Sequence, residues 1–591
     1  MKRSDKTILV TGSGTGIGQA VARKFAKAGY NIIILGRRKE PLIDASNILR
    51  QIITEEKFES SVTYYSGVDV SDFEAINTMF DKIAADFGRI DIIVNNAGVS
   101  GPVKIFTNSS YQEFKDCVSI HLTGTFWTSV KALEVLNDTG KIITISTFFT
   151  EENKFEQRPY RFRTPYTAAQ GAKNRLSECL SWELVEKGIK AVATNPGPVH
   201  SDRIYKTVYP KAAAEFLRVG GFPGLSRKQI EEISVALLPY LGDEPGTIDN
   251  ESKKIATSLA EKYKDLDIAK TQRLAKELLA KIQEIAEKVQ NNTKKMIVDN
   301  EFLSQEDVAE MVYNLSSDEM SKLLNGKVIP NDRVFYPVKP IVERTLQVEM
   351  DKTLENKTIL ITTTTTEEKL LTFVKKIATK INSLNVKQLI VLTHNVEQSP
   401  ELNKIFEGFH HHALDLGDED TVKKIFNTIN SRYGRIDSVL HFTGSYDYHN
   451  NLSSLERRQW DNMVDKFVNI PHLVTSQSVL SMATNQALDD PSLFKGSKGN
   501  IVIVGPDSPV GKKISGNVRA RSEVFRGALR PYVTTANQEL HDVLSSDINL
   551  TLVLPGNING DLPDYDKLEQ TLMGLSSQDS QKNNLIYYVD E

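Results

Sequence analysis

A set of short stretches recurs in the same order along this chain, and that repetition constrains the fold more than any other feature. FGRIDIIVNNAGVSG, from Phe87 to Gly101, matches YGRIDSVLHFTGSYD, from Tyr433 to Asp447. TILVT (Thr7 to Thr11) matches TILIT (Thr358 to Thr362), and VDVSD, ending at Asp72, matches LDLGD, ending at Asp418. GKIITIST from Gly140 matches GNIVIVGP from Gly499, and NPGPVHSD from Asn195 matches LPGNINGD from Leu554. Ordered repetition of this kind reads as two homologous units. Within each, short Val/Ile-rich strands alternate with amphipathic helical stretches, the pattern of a parallel sheet covered by helices on both faces.

The predicted fold is therefore α/β: two tandem Rossmann-like, doubly wound parallel-sheet units, over residues 1–345 and 346–591. Such sheets bind ligands at the carboxyl ends of their strands. Between about residues 204 and 300 the strand signals vanish. SRKQIEEISVALLPYL and IATSLAEKYKDLDIAKTQRLAKELLAKIQEIAEKV carry apolar residues at three-four spacing and read as helices. The first unit resumes at LSQEDVAEMVYNLSSDEM, so the block is an insertion. Its attachment after a strand end places it over the ligand cleft, as a lid, a dimer surface or plain structural padding.

The balance of charge narrows the partners. A net charge of −4 with 25% charged residues gives no basic excess for nucleic acid or an anionic membrane. No apolar run reaches the ~18 residues of a membrane span, and MKRSDKTILVTG enters a strand too early for a cleavable signal. These features predict a cytoplasmic protein with a small-molecule substrate; a homodimer is left open. Cys117 and Cys179 lie in half-apolar helical stretches and read as packing thiols. His410, His411 and His412 form a run without a second ligand cluster and read as a solvated loop, with no metal assigned.

Residues Thr11, Gly12, Ser13, Gly14, Thr15, Gly16, Ile17 and Gly18 spell TGSGTGIG, directly after the strand TILV and before the helix QAVARKFAKAG. In that setting the glycines serve a dinucleotide: Gly12 for a tight turn, Gly16 for approach of backbone to pyrophosphate, Gly18 for close helix packing. The helix start then supplies N–H groups and partial positive charge. The second strand, NIIILGRR, ends in Arg37 and Arg38, where a carboxylate would suit the ribose hydroxyls of NAD. A basic residue suits a 2′-phosphate, so NADP(H) is the expected cofactor and Arg37 its reader; a solvated arginine pair is the alternative. In the second unit the equivalent turn is TTTTTEEK, with Glu367 and Glu368 at the helix start. Those carboxylates would repel a dinucleotide, and this unit is read as having lost cofactor binding.

On these motifs the first unit resembles the short-chain dehydrogenase/reductase family, over roughly residues 5–205 and 300–335. The residues that carry the resemblance are TGSGTGIG, Asp69 and Val70 at the adenine, Asn95, Asn96, Ala97 and Gly98, Tyr166, and the turn Asn195, Pro196, Gly197, Pro198 and Val199. Two tandem units with a degenerate second one, a helical insertion, and the long segment STFFTEENKFEQRPYRFRTPY are similar to the halves of bifunctional malonyl-CoA reductases, the thioester-reducing half above all. That resemblance implies NADPH-dependent reduction of malonyl-CoA to malonate semialdehyde with release of CoA.

The family's catalytic Asn, Ser, Tyr and Lys map unevenly. His121, in VSIHLTGTFW, stands in the Asn place; the Ser place falls on Ser146 or Thr147, with Thr147 the better match; Tyr166 is intact; the Lys place is Gln170, with Lys173 one turn further. Reduction uses a protonated phenol as general acid, the form a tyrosine of pKa about 10 holds at neutral pH. Gln170 keeps a hydrogen bond to the cofactor ribose without charge assistance. Tyr166 and Thr147 would stabilise an oxyanion, and His121 would donate a proton or close a water relay. Arg161, Arg163 and Arg203 are candidates for a substrate carboxylate or CoA phosphate. Two other readings stand beside thioester reduction: a catalytically silent NADP(H)-binding scaffold, and a simple aldehyde or ketone reductase.

Overall fold

The structure is a computed structural model, and it describes residues 6–150, 161–199, 207–263, 266–334, 354–394, 400–448, 450–483, 490–510, 516–558, 565–577 and 586–589. The first sheet contains β1 (Thr7–Thr11), β2 (Asn31–Gly36), β3 (Val62–Ser66), β4 (Ile90–Asn95), β5 (Leu136–Ile145), β6 (Lys190–Pro196) and β7 (Val328–Asn331). The second contains β8 (Thr358–Thr363), β9 (Gln388–His394), β10 (His410–Leu414), β11 (Ser438–Phe442), β12 (Lys498–Val504), β13 (Ser508–Val510), β14 (Asp547–Ile558) and β15 (Ile586–Val589). The orders are β3-β2-β1-β4-β5-β6-β7 and β10-β9-β8-β11-β12-β14-β13, with β15 also on β14, and every pairing is parallel. The two α/β units expected from the repeat are present. The expected boundary at 345/346 lies outside the described residues.

Strand alternation explains how each sheet is covered twice. Ile8 and Val10 of β1, with Ile92 and Val94 of β4, enter a core against the helices Gly16–Lys27, Lys39–Glu55 and Gln305–Leu315. Leu9 and Ile93, between them in sequence, enter another core on the opposite face. In the second unit Ile359 and Ile361 of β8 face one layer and Leu360 faces the other. The Leu9 and Leu360 faces belong to a single continuous core, so the two units share the helical layer between their sheets. The repeat extends to a hydrogen bond: Asp91 Oδ2 accepts from Thr7 N at 2.7 Å, and Asp437 Oδ2 from Thr358 N at 2.9 Å.

The shared layer is built around two helices, Thr164–Glu183 and Gly516–Gln538, that cross at glycines. A Cβ on Gly171 would collide with the carbonyl oxygen of Gly527 and approach Pro531 Cγ to 2.8 Å; one on Gly527 would collide with Arg175 Cγ. Around the crossing, Phe126 stacks on Trp460 with centroids 3.7 Å apart, and Trp460 Nε1 donates to Thr123 Oγ1 at 3.1 Å. Phe114 stacks on His472 at 3.8 Å.

The insertion is helical as expected: Tyr209–Gly220, Arg227–Leu237, Pro245–Lys262 and Ile268–Lys294, around its own core of Ile230, Ile233, Leu278 and Ile282. Ser226 and Gln229 form a capping box at its second helix. The chain returns to the first unit where Leu303 bridges Val199. Cys117 and Cys179 are buried and free, and burial pushes the Cys117 thiol up to about 12. The histidine run departs from expectation. His410–Leu414 is not a loop but the edge strand β10, paired to β9, because backbone hydrogen bonds compensate for a side-chain pattern with no apolar period. No helix among the described residues is long and apolar enough to cross a membrane.

Candidate active site

The glycine turn leaves β1 and enters the helix Gly16–Lys27. Gly12 and Gly16 both adopt φ +65°, a left-handed conformation that favours glycine. A Cβ on Gly12 would lie 2.7 Å from Ala97 Cα, and one on Gly18 would lie 2.5 Å from Asn96 Nδ2 and 2.6 Å from Gly12 O. At Gly16 the space is open. The helix begins at Thr15 with no side-chain cap and no acidic residue in its first turn. Its first N–H groups are therefore available to an anion.

The hydroxyls of this turn brace it. Thr11 Oγ1 accepts from Asn96 N at 2.9 Å and Ala97 N at 2.8 Å, locking the glycine turn to the one after β4. Ser13 is fully buried; its hydroxyl donates to Val10 O at 2.8 Å and accepts from Leu35 N at 3.1 Å, so it joins β1 to β2. Asn95 also turns its side chain away from the glycine turn. Its carboxamide points into the helical layer, donating to Ser129 Oγ at 2.8 Å and accepting from Thr128 Oγ1 at 2.9 Å. Asn96 does the local work instead, with Nδ2 donating to Thr11 O at 3.0 Å and Gly12 O at 3.2 Å.

After β2, Arg37 Nη1 lies 3.5 Å from Asp69 Oδ2. Asp69 is fixed in turn by Ser71, whose N and Oγ donate to Oδ1 at 3.0 and 2.7 Å. Val70 packs under Gly124, and Arg38 is exposed. Gly197, between Pro196 and Val199, lies where a Cβ would come 2.6 Å from Asp332 O.

Tyr166 stands in the first turn of Thr164–Glu183. The Arg163 guanidinium lies over its ring, 4.2 Å from the centroid, and the His121 ring meets it edge-on at 5.1 Å. Arg163 is 4% exposed. His121 lies in a π-helical turn, Ser119–Thr123, that bulges it toward the turn after β4. Its Nε2 is 2.8 Å from Val99 O, and a Cβ on Gly98 would lie 2.5 Å from its Cε1. With Nε2–H assigned to the Val99 carbonyl, the imidazole holds the Gly98–Val99 turn. Ser146 Oγ donates to the Gln170 carbonyl at 3.1 Å and so ties β5 to the helix; Thr147 hydroxyl makes no such bond among the described residues. Gln170 is buried, with its Oε1 lacking a hydrogen-bond partner among the described residues. Lys173 does not replace the missing lysine. Its Nζ donates to Ile145 O at 2.8 Å, and burial lowers its pKa to about 7.

Of the other arginines, Arg161 pairs with Asp542 of the second unit at 2.7 Å, and Arg203 lies outside the described residues. The second unit differs at the equivalent place. His441 stands where Asn95 does and bonds Thr362 Oγ1 at 2.7 Å. A Cβ on Gly444 would lie 3.0 Å from Lys466 Nζ, which donates to Ser445 O at 3.1 Å. Glu368 occupies the first turn of the helix, as the sequence has it.

A family model described as short chain dehydrogenase matches residues 6–209. An uncharacterised oxidoreductase of Staphylococcus epidermidis is 30% identical over 200 residues, 34% of this chain and 80% of its own length. One of Staphylococcus aureus is 29% identical over 198 residues, 33% of this chain and 79% of its own. Among solved structures, the C-domain of a bacterial malonyl-CoA reductase with NADP aligns over 99% of this chain and 98% of its own, with TM-score 0.71 and 15% identity. The N-domain with NADP aligns over 99% and 97%, with TM-score 0.68 and 17% identity. At these identities the likeness is one of fold, and it takes in both sheets.

Proposed function

The chain belongs to the short-chain dehydrogenase family, and from that premise we propose that its first unit takes NADP(H) and reduces a carbonyl group, with the CoA thioester of malonate as its substrate. The observation that carries this reading is Tyr166, set between His121 and the buried Arg163, in a unit whose glycine turn is intact. The turn fits a dinucleotide: space at Gly16, uncapped N–H groups, and Arg37 at the position that reads a 2′-phosphate. The buried Oε1 of Gln170 fits a ribose hydroxyl. The two aligned domains that are named with NADP support the cofactor choice.

When bound, the nicotinamide supplies hydride. The chain's own residues handle the charge and the proton. Tyr166 donates its phenolic hydrogen bond, then its proton, to the carbonyl oxygen as negative charge builds there. The Thr147 hydroxyl is the second donor for that oxygen, since Ser146 is committed to Gln170. Arg163 presents a fixed cation beside the phenol and suits the free carboxylate of a malonyl group. In a thioester the Tyr166 phenolate takes that proton back as the carbonyl re-forms, and the expelled thiolate picks up a proton to leave as free thiol. The balance is one thioester, one NADPH and one proton giving aldehyde, NADP⁺ and free thiol.

The lysine that is absent at Gln170, with Lys173 turned to the Ile145 carbonyl, favours a second reading: an NADP(H)-binding scaffold without turnover. One experiment separates the two. Purified protein is given NADPH and malonyl-CoA, with NADPH oxidation and free thiol followed together, beside Tyr166→Phe. Turnover with thiol release, lowered about a hundredfold or more in Tyr166→Phe with NADPH binding intact, is expected. NADPH binding without turnover would establish the scaffold. Turnover of simple aldehydes alone, with no thiol released from acyl-CoA, would identify an aldehyde or ketone reductase.

A further inference from the structure

The chain segment before Tyr166 has an unusual backbone. Phe162, a bulky residue, sits at φ +64°, and its side chain is 1% exposed against Phe216 of the insertion, with ring centroids 4.8 Å apart. A non-glycine residue in this region is strained and persists only where its surroundings hold it. The holding group comes from the other unit. Glu539, fully buried in the π-helical turn Glu539–Val543, accepts from Phe162 N through Oε1 at 2.6 Å and from Phe106 N through Oε2 at 2.8 Å. Thr164 Oγ1 is 3.3 Å from the same Oε1. Phe106 belongs to the loop after β4, and Lys104 N donates to Phe162 O at 3.2 Å, so the two segments are also bound to each other.

The same device recurs with the units exchanged. Glu183, at the end of the tyrosine helix, accepts from Leu452 N and Ser453 N of the second unit, both at 2.8 Å. There Arg521 Nε completes the site at 3.0 Å from Glu183 Oε1. No cation pairs with Glu539 among the described residues. The charged and titratable groups around it are Glu215 and Arg218 on the insertion helix, which pair with each other at 2.7 Å while Glu215 accepts from Ile105 N, the Arg161–Asp542 pair at the rim, Arg163 beyond Phe162, and Tyr532 on the preceding helix.

We propose that Glu539, contributed by the second unit, is a positioning residue for the first unit's Tyr166: it holds the strained segment that leads into the tyrosine helix and the loop that faces it. The inference rests on the reading of Tyr166 as the catalytic acid. Burial raises the Glu539 pKa to about 8. As pH rises through that value the carboxyl ionises, and both backbone hydrogen bonds become charge-assisted. Activity governed by this clamp therefore rises with pH across that window.

The test uses the full chain as wild type, Glu539→Gln and Glu539→Asp, with NADPH and malonyl-CoA. Glu539→Gln offers an amide hydrogen where a backbone N–H needs an acceptor. It is expected to lower kcat about ten- to a hundredfold, to leave the NADPH Kd within about twofold, and to abolish the rise of kcat/KM through about pH 8. Glu539→Asp keeps the charge and is expected to recover part of kcat and the pH dependence. Unchanged kcat and pH profile in Glu539→Gln would overturn the proposal, as would NADPH binding lost in step with kcat. If the glutamine variant does not fold, a wild-type profile with no rise through that window overturns it, and a rise supports it. If the wild type turns over nothing, the reading of Tyr166 fails, and backbone amide exchange decides the clamp separately. Residues 103–107 and 161–166 are then expected to exchange about tenfold faster in Glu539→Gln, with β1 unchanged; equal exchange overturns it.

Discussion

At the scale of single residues, the cofactor turn depends on contacts too close for any added atom. The Gly18 position leaves no room between Asn96 Nδ2 and Gly12 O. Gly18→Ala is expected to weaken NADPH binding by about tenfold or more, roughly 1.4 kcal/mol, read by fluorescence titration. Unchanged affinity would mean that the turn does not hold the phosphates. The glycines were legible in the sequence because their signal is local: one strand, one turn and one helix in an unbroken stretch. The asparagines beside them were only half legible. NNAG marks the turn, but which of Asn95 and Asn96 braces it depends on strand alternation at the very end of β4, where one residue faces the helical layer and the next faces the turn. Glu539 left no sequence signal at all. Its partners are backbone amides far away in the chain, and an amide acceptor requires no matching side chain.

At the scale of elements, the crossing of Thr164–Glu183 and Gly516–Gln538 is where the two units come closest. Gly171→Val would drive a branched side chain into the Gly527 carbonyl. The expected cost is about 1–3 kcal/mol, seen as a drop of roughly 1–2 °C in Tm for a chain of this length, with a kcat loss only if the clamp at Phe162 shifts too. No change in Tm would show that the helices separate freely. The insertion was legible from its three-four spacing, which is self-contained. The histidine strand β10 was not, because three adjacent histidines give neither an apolar alternation nor a helical face. Both units also carry a π-helical turn at matching places, Ser119–Thr123 and Asp465–Asn469. Such a turn adds one residue to a helix without a composition that announces it. It is what brings His121 to Val99 and Lys466 to Ser445.

At the scale of the whole molecule, the second unit packs against the first along the shared helical layer. It covers the Phe126 face with Trp460, and it supplies Glu539. A chain ending at residue 334 would expose that face and lose the clamp. It is expected to self-associate or aggregate in sedimentation, and to turn over at least about tenfold more slowly than the full chain. A monodisperse fragment with full turnover would contradict this division of labour. The two-unit architecture was readable from the repeat, and the loss of the second glycine turn from TTTTTEEK. How the units face each other was not readable, because the glycines at the crossing look like ordinary helix residues until a partner is placed against them.

The interface between the units has one further consequence. In a symmetric pair of identical chains, each position near the axis must suit itself on both sides. Here both sides belong to one chain and have drifted apart: Arg175 lies against Gly527, while Pro531, not an arginine, lies against Gly171. The halves also meet at a local concentration set by the connecting chain, whatever the amount of protein in solution. A site that needs both bodies has thus become unimolecular. A single substitution on either side of the crossing therefore appears once per chain and never twice.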